Sequence, residues 1–181
     1  MKTAGASPAS SSRPRRGAAA DTVGEAASAV RAALADLQLD AIPVLDGHAG
    51  MALWVPFADA PYSEPLRAWL HQLCARVIAK HPRLVSAERY SRAQARALLH
   101  VSSNAPGRFS ALPYSLRGIP GLPVCTPIEW SELATVASGS ITADNIAQRL
   151  EARGDLFAQQ AARLAHQRFA GVQERLMVAA P

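Results

Sequence analysis

Cysteine is scarce in this chain. Cys74 and Cys125 allow one bridge at most, so no disulfide framework supports the fold, and a reducing cytoplasm is the simpler expectation. Lysine is scarcer relative to its usual share: only Lys2 and Lys80 accompany seventeen Arg, a bias that a GC-rich genome produces without selection for phosphate binding. No apolar run approaches the roughly 20 residues of a membrane helix, and no apolar core of a secretory signal opens the sequence, so the reading is a soluble, cytoplasmic protein. Acids are absent from residues 1–20, which carry Lys2, Arg13, Arg15 and Arg16. That segment supplies most of the formal net charge of +5, and the remainder holds 15 basic against 14 acidic residues. A uniformly basic nucleic-acid binder is therefore not indicated by charge alone.

What is present is enough for one domain. At 181 residues and 49% apolar composition the chain can bury a core without metals or bridges. Residues 1–20 are Ser, Ala, Pro, Gly and Arg without hydrophobic periodicity, and they read as a disordered basic tail. Thr22 and Glu25 form a capping-box pattern ahead of Val23, Ala26, Ala27, Val30, Leu34 and Leu37, which predicts a helix ending near Leu37. Ala41–Leu45 and Met51–Phe57 flank Asp46-Gly47-His48-Ala49-Gly50 and predict a hairpin. Ser63 and Pro65 open a second helix with Leu66, Trp69, Leu70, Leu73 and Val77 as its stripe, stopped by Pro82. Strands are expected at Ala97–Ser102 and Phe109–Arg117. An extended strap over Gly118–Trp130, carrying Pro120, Pro123 and Pro127, follows, and then come helices: Thr142 is a candidate cap, Gly154 a break, and one long helix is expected from Asp155 towards Leu176. The division is a tail over 1–20, an α/β core over 21–135 and C-terminal helices over 136–181.

The strap is the most specific stretch: Leu112-Pro113-Tyr114-Ser115-Leu116-Arg117-Gly118-Ile119-Pro120-Gly121-Leu122-Pro123-Val124-Cys125-Thr126-Pro127-Ile128-Glu129-Trp130-Ser131-Glu132-Leu133. It resembles the A-P-Y-S-x-R-x-x-P-G-x-P-V-x-x-P-x-x-W-x-E-L signature of the polymerase domain of bacterial ligase D, over roughly residues 24–160. The resemblance implies the second part of an archaeo-eukaryotic primase core: a mixed or antiparallel sheet packed with helices, and a helical C-terminus. It also implies a domain that adds nucleotides at broken DNA ends in non-homologous end joining, using two Mn²⁺ or Mg²⁺ ions held by carboxylates.

The acids that the resemblance calls for are missing. The family's D-x-D strand lies upstream of the first helix, where this chain has only its basic tail. Its V-D-Y-L-x-N strand falls on Leu99-His100-Val101-Ser102-Ser103-Asn104, placing His100 at the third carboxylate, and imidazole suits Mg²⁺ poorly. Its triphosphate-contacting S-G-x-K-G-x-H turn falls on Asp46-Gly47-His48-Ala49-Gly50-Met51-Ala52, so Asp46, Ala49 and Ala52 replace Ser, Lys and His. Arg117 and Arg96 match basic family positions, and with Arg108 they are the candidate phosphate contacts.

The expectation is a non-catalytic domain of this family that needs no cofactor and binds DNA or a repair partner. Two alternatives stand beside it. One is a split nucleotidyltransferase whose D-x-D comes from another chain. The other is an interaction module that uses its Ala/Gln/Arg-rich C-terminal helix to bind a partner, or a relic, with self-association open to a sheet edge exposed by the missing strand. His71, Cys74 and His81 are a weak metal candidate, since Cys74 falls beside an apolar stripe. Cys125 reads as a buried thiol, and Trp54, Tyr114 and Trp130 read as core aromatics sooner than base-stacking platforms.

Overall fold

A computed structural model describes residues 7–14, 20–59, 63–87, 96–101, 104 and 110–178. Six strands, β1 (Ser7–Pro14), β2 (Ile42–Leu45), β3 (Met51–Val55), β4 (Val85–Ser86), β5 (Ala97–His100) and β6 (Thr126–Pro127), form one mixed sheet in the order β4-β5-β1-β3-β2-β6. All neighbours are antiparallel except β4 and β5. Helices α1 (Ala20–Ala35) and α2 (Ser63–Lys80) lie on one face, and α3 (Ile146–Arg153), α4 (Leu156–Leu164) and α5 (Val172–Val178) follow the strap.

The main core lies between α1, α2 and the sheet. Alternation along the strands sends Leu45, Met51, Leu53, Val55, Ala97, Leu99 and Val101 to it, where they meet Val30, Leu34, Trp69, Leu70 and Leu73. The ring of Trp69 meets Phe57 and Phe169 edge-on, with centroids 5.8 and 5.9 Å away. Ile42, Val44 and Trp54 point to the opposite face, where Phe157, Ala161 and Leu164 of α4 cover them together with Cys125. The position of Trp54, edge-on to Phe157 at 5.6 Å, makes it a core residue as expected.

Several expectations need correction. Residues 7–14, assigned to the disordered tail, form β1 in the middle of the sheet; the rest of residues 1–19 lies outside the described residues. Ser-Pro-Ala-Ser-Ser-Ser-Arg-Pro has little intrinsic strand preference, but β3 and β5 supply backbone partners on both sides, and tertiary pairing outweighs propensity. With β1 in place, the gap that was to expose an edge for self-association is filled.

Helix α1 starts at Ala20, ahead of the Thr22 capping box. Of the strand expected over Phe109–Arg117, Phe109 lies outside the described residues and Ser110–Arg117 is not a strand: only Leu116 forms a bridge, to Val124, and the partners of β5 are β1 and β4. Asn145, not Thr142, is the N-cap of α3.

The long C-terminal helix is instead α4 and α5. Between them Gln167 donates to the carbonyls of Asp40 and Pro56, each at 3.1 Å, while Asp59 accepts from the backbone N–H groups of Phe169 and Ala170. These tertiary bonds hold the chain in a turn where composition favours helix.

Candidate nucleic-acid interface

The turn between β2 and β3 is closed by its first residue. Asp46 N–H donates to the Gly50 carbonyl at 2.9 Å, and Asp46 Oδ1 accepts from the N–H groups of His48 and Gly50 at 2.8 and 2.9 Å. Gly47 has φ +75°, and a Cβ there would stand 2.9 Å from Cγ of Arg117, so glycine is required for the strap to lie this close. Arg117 is itself fixed by its N–H donating to the Pro123 carbonyl at 2.8 Å and by the Leu116–Val124 bridge. Cys125 lies beneath, donating from Sγ to the Asp46 carbonyl at 3.5 Å. Burial raises its thiol pKa, the charge of Arg117 lowers it and that of Asp46 raises it further, leaving it above the ordinary value.

From this turn a row of paired backbone positions crosses the sheet. Ala52 on β3 is opposite Ser11 on β1, and Ser11 is opposite His100 on β5. His100 and Ala52 alternate out of the set packed on α1 and α2, so they belong to the sheet's other face. The row brings together the two positions that the motifs singled out on β3 and β5, with β1 between them. It contains no carboxylate, and β1 as a whole, Ser7–Pro14, contains none. Among the described residues no three His, Cys, Asp or Glu side chains converge in a way that could hold a metal ion. A pair of divalent cations, which needs several anionic oxygens, does not fit this donor set.

The other basic candidates do not join Arg117 as a cluster. Arg96 precedes β5, and its Nη1 donates to the Pro82 carbonyl at 2.8 Å, tying it to the end of α2. It stands four residues from His100, roughly 13 Å along an extended strand. Arg108 lies outside the described residues. On α2, Cys74 is buried and burial pushes its thiol up to about 12, while His71 is exposed, so the two do not share an environment.

What sequence reasoning missed is how the signature residues hold the strap. Glu132 is buried and accepts from Arg149 Nη1 and Nη2 at 3.0 and 2.8 Å, from Arg153 Nη2 at 3.3 Å and from the Glu129 N–H at 2.9 Å. Burial alone would raise its pKa, but the hydrogen bonds from Arg149 and the Glu129 backbone and the charges of Arg149 and Arg153 hold it below the ordinary value.

Trp130 Nε1 donates to the Ala41 carbonyl at 2.9 Å, and the guanidinium of Arg31 sits 4.4 Å from its ring centre. Tyr114 donates its hydroxyl to Asp155 Oδ1 at 2.8 Å, and burial with that bond raises its pKa to about 12. Asp155 in turn caps α4 through the Ala158 N–H. The tryptophan and glutamate of the W-x-E-L stretch, followed by arginines one helix later, were the available signal.

The model of the LigD primase-polymerase domain matches residues 13–157. Two multifunctional non-homologous end joining proteins are similar: LigD of Mycolicibacterium smegmatis, 30% identical over 146 residues, and the Mycobacterium tuberculosis protein, 29% identical over 144 residues. These stretches are 80% and 79% of this chain but only 19% of either relative. A solved polymerase domain from Mycobacterium tuberculosis ligase D in complex with DNA superposes with a TM-score of 0.78 at 27% identity, covering 84% of this chain and 54% of that one.

Proposed function

Because the chain belongs to the LigD primase-polymerase domain family, we propose that it is a non-catalytic member, keeping the scaffold and binding DNA ends or a DNA-repair partner without nucleotide transfer. The observation that carries the reading is the Ala52–Ser11–His100 row. At the centre of the sheet, where cations would have to be held against a growing strand, the chain offers a methyl group, a hydroxyl residue and an imidazole. None of them supplies the negative charge needed to bind two divalent ions and activate a primer hydroxyl.

Arg117 is the phosphate contact in this reading, since its side chain is positioned over the turn at one end of the row. One such contact supports weak binding that falls modestly with salt, with a slope of roughly −0.9 in log K against log salt. The DNA in the solved relative makes nucleic acid the first ligand to test. A split polymerase completed by another chain is the weaker alternative. A donated D-x-D strand would have to displace β1 from between β3 and β5, and His100, Ala49 and Ala52 would still lack the family side chains.

The test is a primer-extension assay with purified protein in Mg²⁺ and in Mn²⁺, alongside fluorescence anisotropy with a DNA duplex at several salt concentrations. We expect no extension, with dissociation constants on the order of micromolar or weaker that rise with salt. Templated nucleotide addition would overturn the proposal.

A further inference from the structure

Among the described residues five large apolar side chains are left exposed, and four of them, Leu112, Leu116, Ile119 and Leu122, lie on the strap. That segment is a braced hairpin. The N–H groups of Tyr114 and Arg117 donate to the carbonyls of Cys125 and Pro123 at 2.7 and 2.8 Å, with the Leu116–Val124 bridge between them. The Ala143 N–H backs the tip by donating to the Leu122 carbonyl at 3.0 Å. Residues 118–122, the tip itself, are exposed throughout. Single exposed leucines need no explanation, whereas an apolar cluster held out on a fixed support marks a contact surface.

Leu122 strengthens that assignment. Its φ is +43°, in the left-handed region that suits glycine or asparagine and strains a bulky side chain. Tyr114 also has a positive φ, +67°, but its hydroxyl is bonded to Asp155. Leu122 stays 50% exposed, so this chain holds a strained leucine without burying it.

The charges around the tip select its occupant. Between Ser110 and Ile128 the one charged side chain is Arg117, at the base of the hairpin. Asp144 is exposed one residue beyond the Ala143 that backs the tip, and an acid there disfavours laying the tip along a run of phosphates. The open face of a terminal base pair is flat and uncharged with phosphates at its rim, and Leu and Ile are among the side chains that pack on unstacked bases. Such a face exists only where a duplex ends.

We propose that the strap tip selects DNA ends: Leu116, Ile119 and Leu122 cover the open face of the terminal base pair while Arg117 holds a phosphate. The inference rests on the reading that the domain binds DNA through Arg117, and it specifies which part of the DNA is selected.

The experiment follows the full chain by fluorescence anisotropy with two internally labelled DNAs, a blunt duplex and the same sequence closed at both ends by hairpin loops. Burying about 60 Å² of apolar surface multiplies affinity by roughly ten, so the blunt duplex should bind roughly tenfold more tightly than the closed one. Leu122→Asn suits a positive φ and should melt no lower than the parent, so a preference lost in that variant reports the missing side chain. In Leu122→Asn combined with Ile119→Ser the ratio of the two affinities should fall to about one. Arg117→Gln should weaken both DNAs.

A preference for the blunt duplex that survives the combined tip variant overturns the proposal. Equal binding of the two DNAs by the parent also overturns it and leaves the tip to a protein partner; if Arg117→Gln then weakens both, the phosphate reading stands. If the parent binds neither DNA, that reading fails together with the role of the tip.

Discussion

Replacing Glu132 with Ala should be among the most damaging single changes outside the hydrophobic core. Its carboxylate receives both terminal nitrogens of Arg149, one of Arg153 and the Glu129 N–H, with a relative side-chain exposure of 9%, against 14% for Arg149. Truncation leaves the Arg149 charge largely out of water with only the Pro127 carbonyl, at 3.3 Å, as a side-chain acceptor. Removing one member of such a pair costs about 3–5 kcal/mol, most of it the penalty of the orphaned charge. For a chain of this size that corresponds to a melting temperature lower by roughly 6–20 °C.

Glu132→Gln keeps the shape and part of the hydrogen bonding and should fall in between. Because the folded pKa of Glu132 lies below its ordinary value of 4.5, its ionisation stabilises the fold above that value and loses the effect as pH drops through the folded pKa. The Gln variant should therefore show a shallower acid limb below about pH 4.5 when stability is followed by circular dichroism. A Glu132→Ala protein that melts within about 2 °C of the parent would refute this role of Glu132, since it would mean that Arg149 and the strap relax at no cost.

Other consequences are open to simpler measurement. Gly47→Ala adds a Cβ 2.9 Å from Arg117 at φ +75° and should cost about 1–3 kcal/mol in urea unfolding. Iodoacetamide should leave Cys74 unmodified in the native protein at pH 8, because its thiol is buried with a pKa of about 12, and should modify it in urea; rapid native labelling would contradict that burial. Deleting residues 1–14 removes β1 and exposes the facing edges of β3 and β5, so the truncated chain should aggregate or self-associate in size-exclusion chromatography with light scattering.

Much of the fold was legible because local chemistry and tertiary structure agree there. The Asp46–Gly50 turn carries an acceptor and glycines where a hairpin needs them, and the Ser63–Lys80 stripe repeats at helical spacing up to Pro82. The strap could be matched to a family because its prolines, Trp130 and Glu132 perform structural tasks at fixed spacing.

β1 was illegible for the opposite reason. Nothing in Ser7–Pro14 alternates, and its strand conformation comes from partners some 40 and 90 residues away in the chain. The break between α4 and α5 likewise depends on Asp59 and on the docking of Gln167 against Asp40 and Pro56, long-range bonds with no helical period. For the candidate site, the sequence names candidate residues but not how they come together. That Arg117 meets the turn while Arg96 is tied to Pro82 follows only from the folded backbone.

Carboxylates can be introduced into the central row one at a time, and the outcome tests whether a single position accounts for the proposed inactivity. His100→Asp places an acid opposite Ser11 in the central row. A lone carboxylate supplies at most two oxygens, whereas Mg²⁺ seeks six ligands and the chemistry requires two ions bridged by shared oxygens. Neither Ala52 nor Ser11, its row neighbours, can contribute a second anion. The variant should show no extension in Mg²⁺ or Mn²⁺ and little thermal stabilisation by either ion, because a site that binds weakly shifts stability by only RT ln(1 + [L]/Kd). Extension restored by His100→Asp alone would mean that other acids already face this row, and the argument from its chemistry would fail.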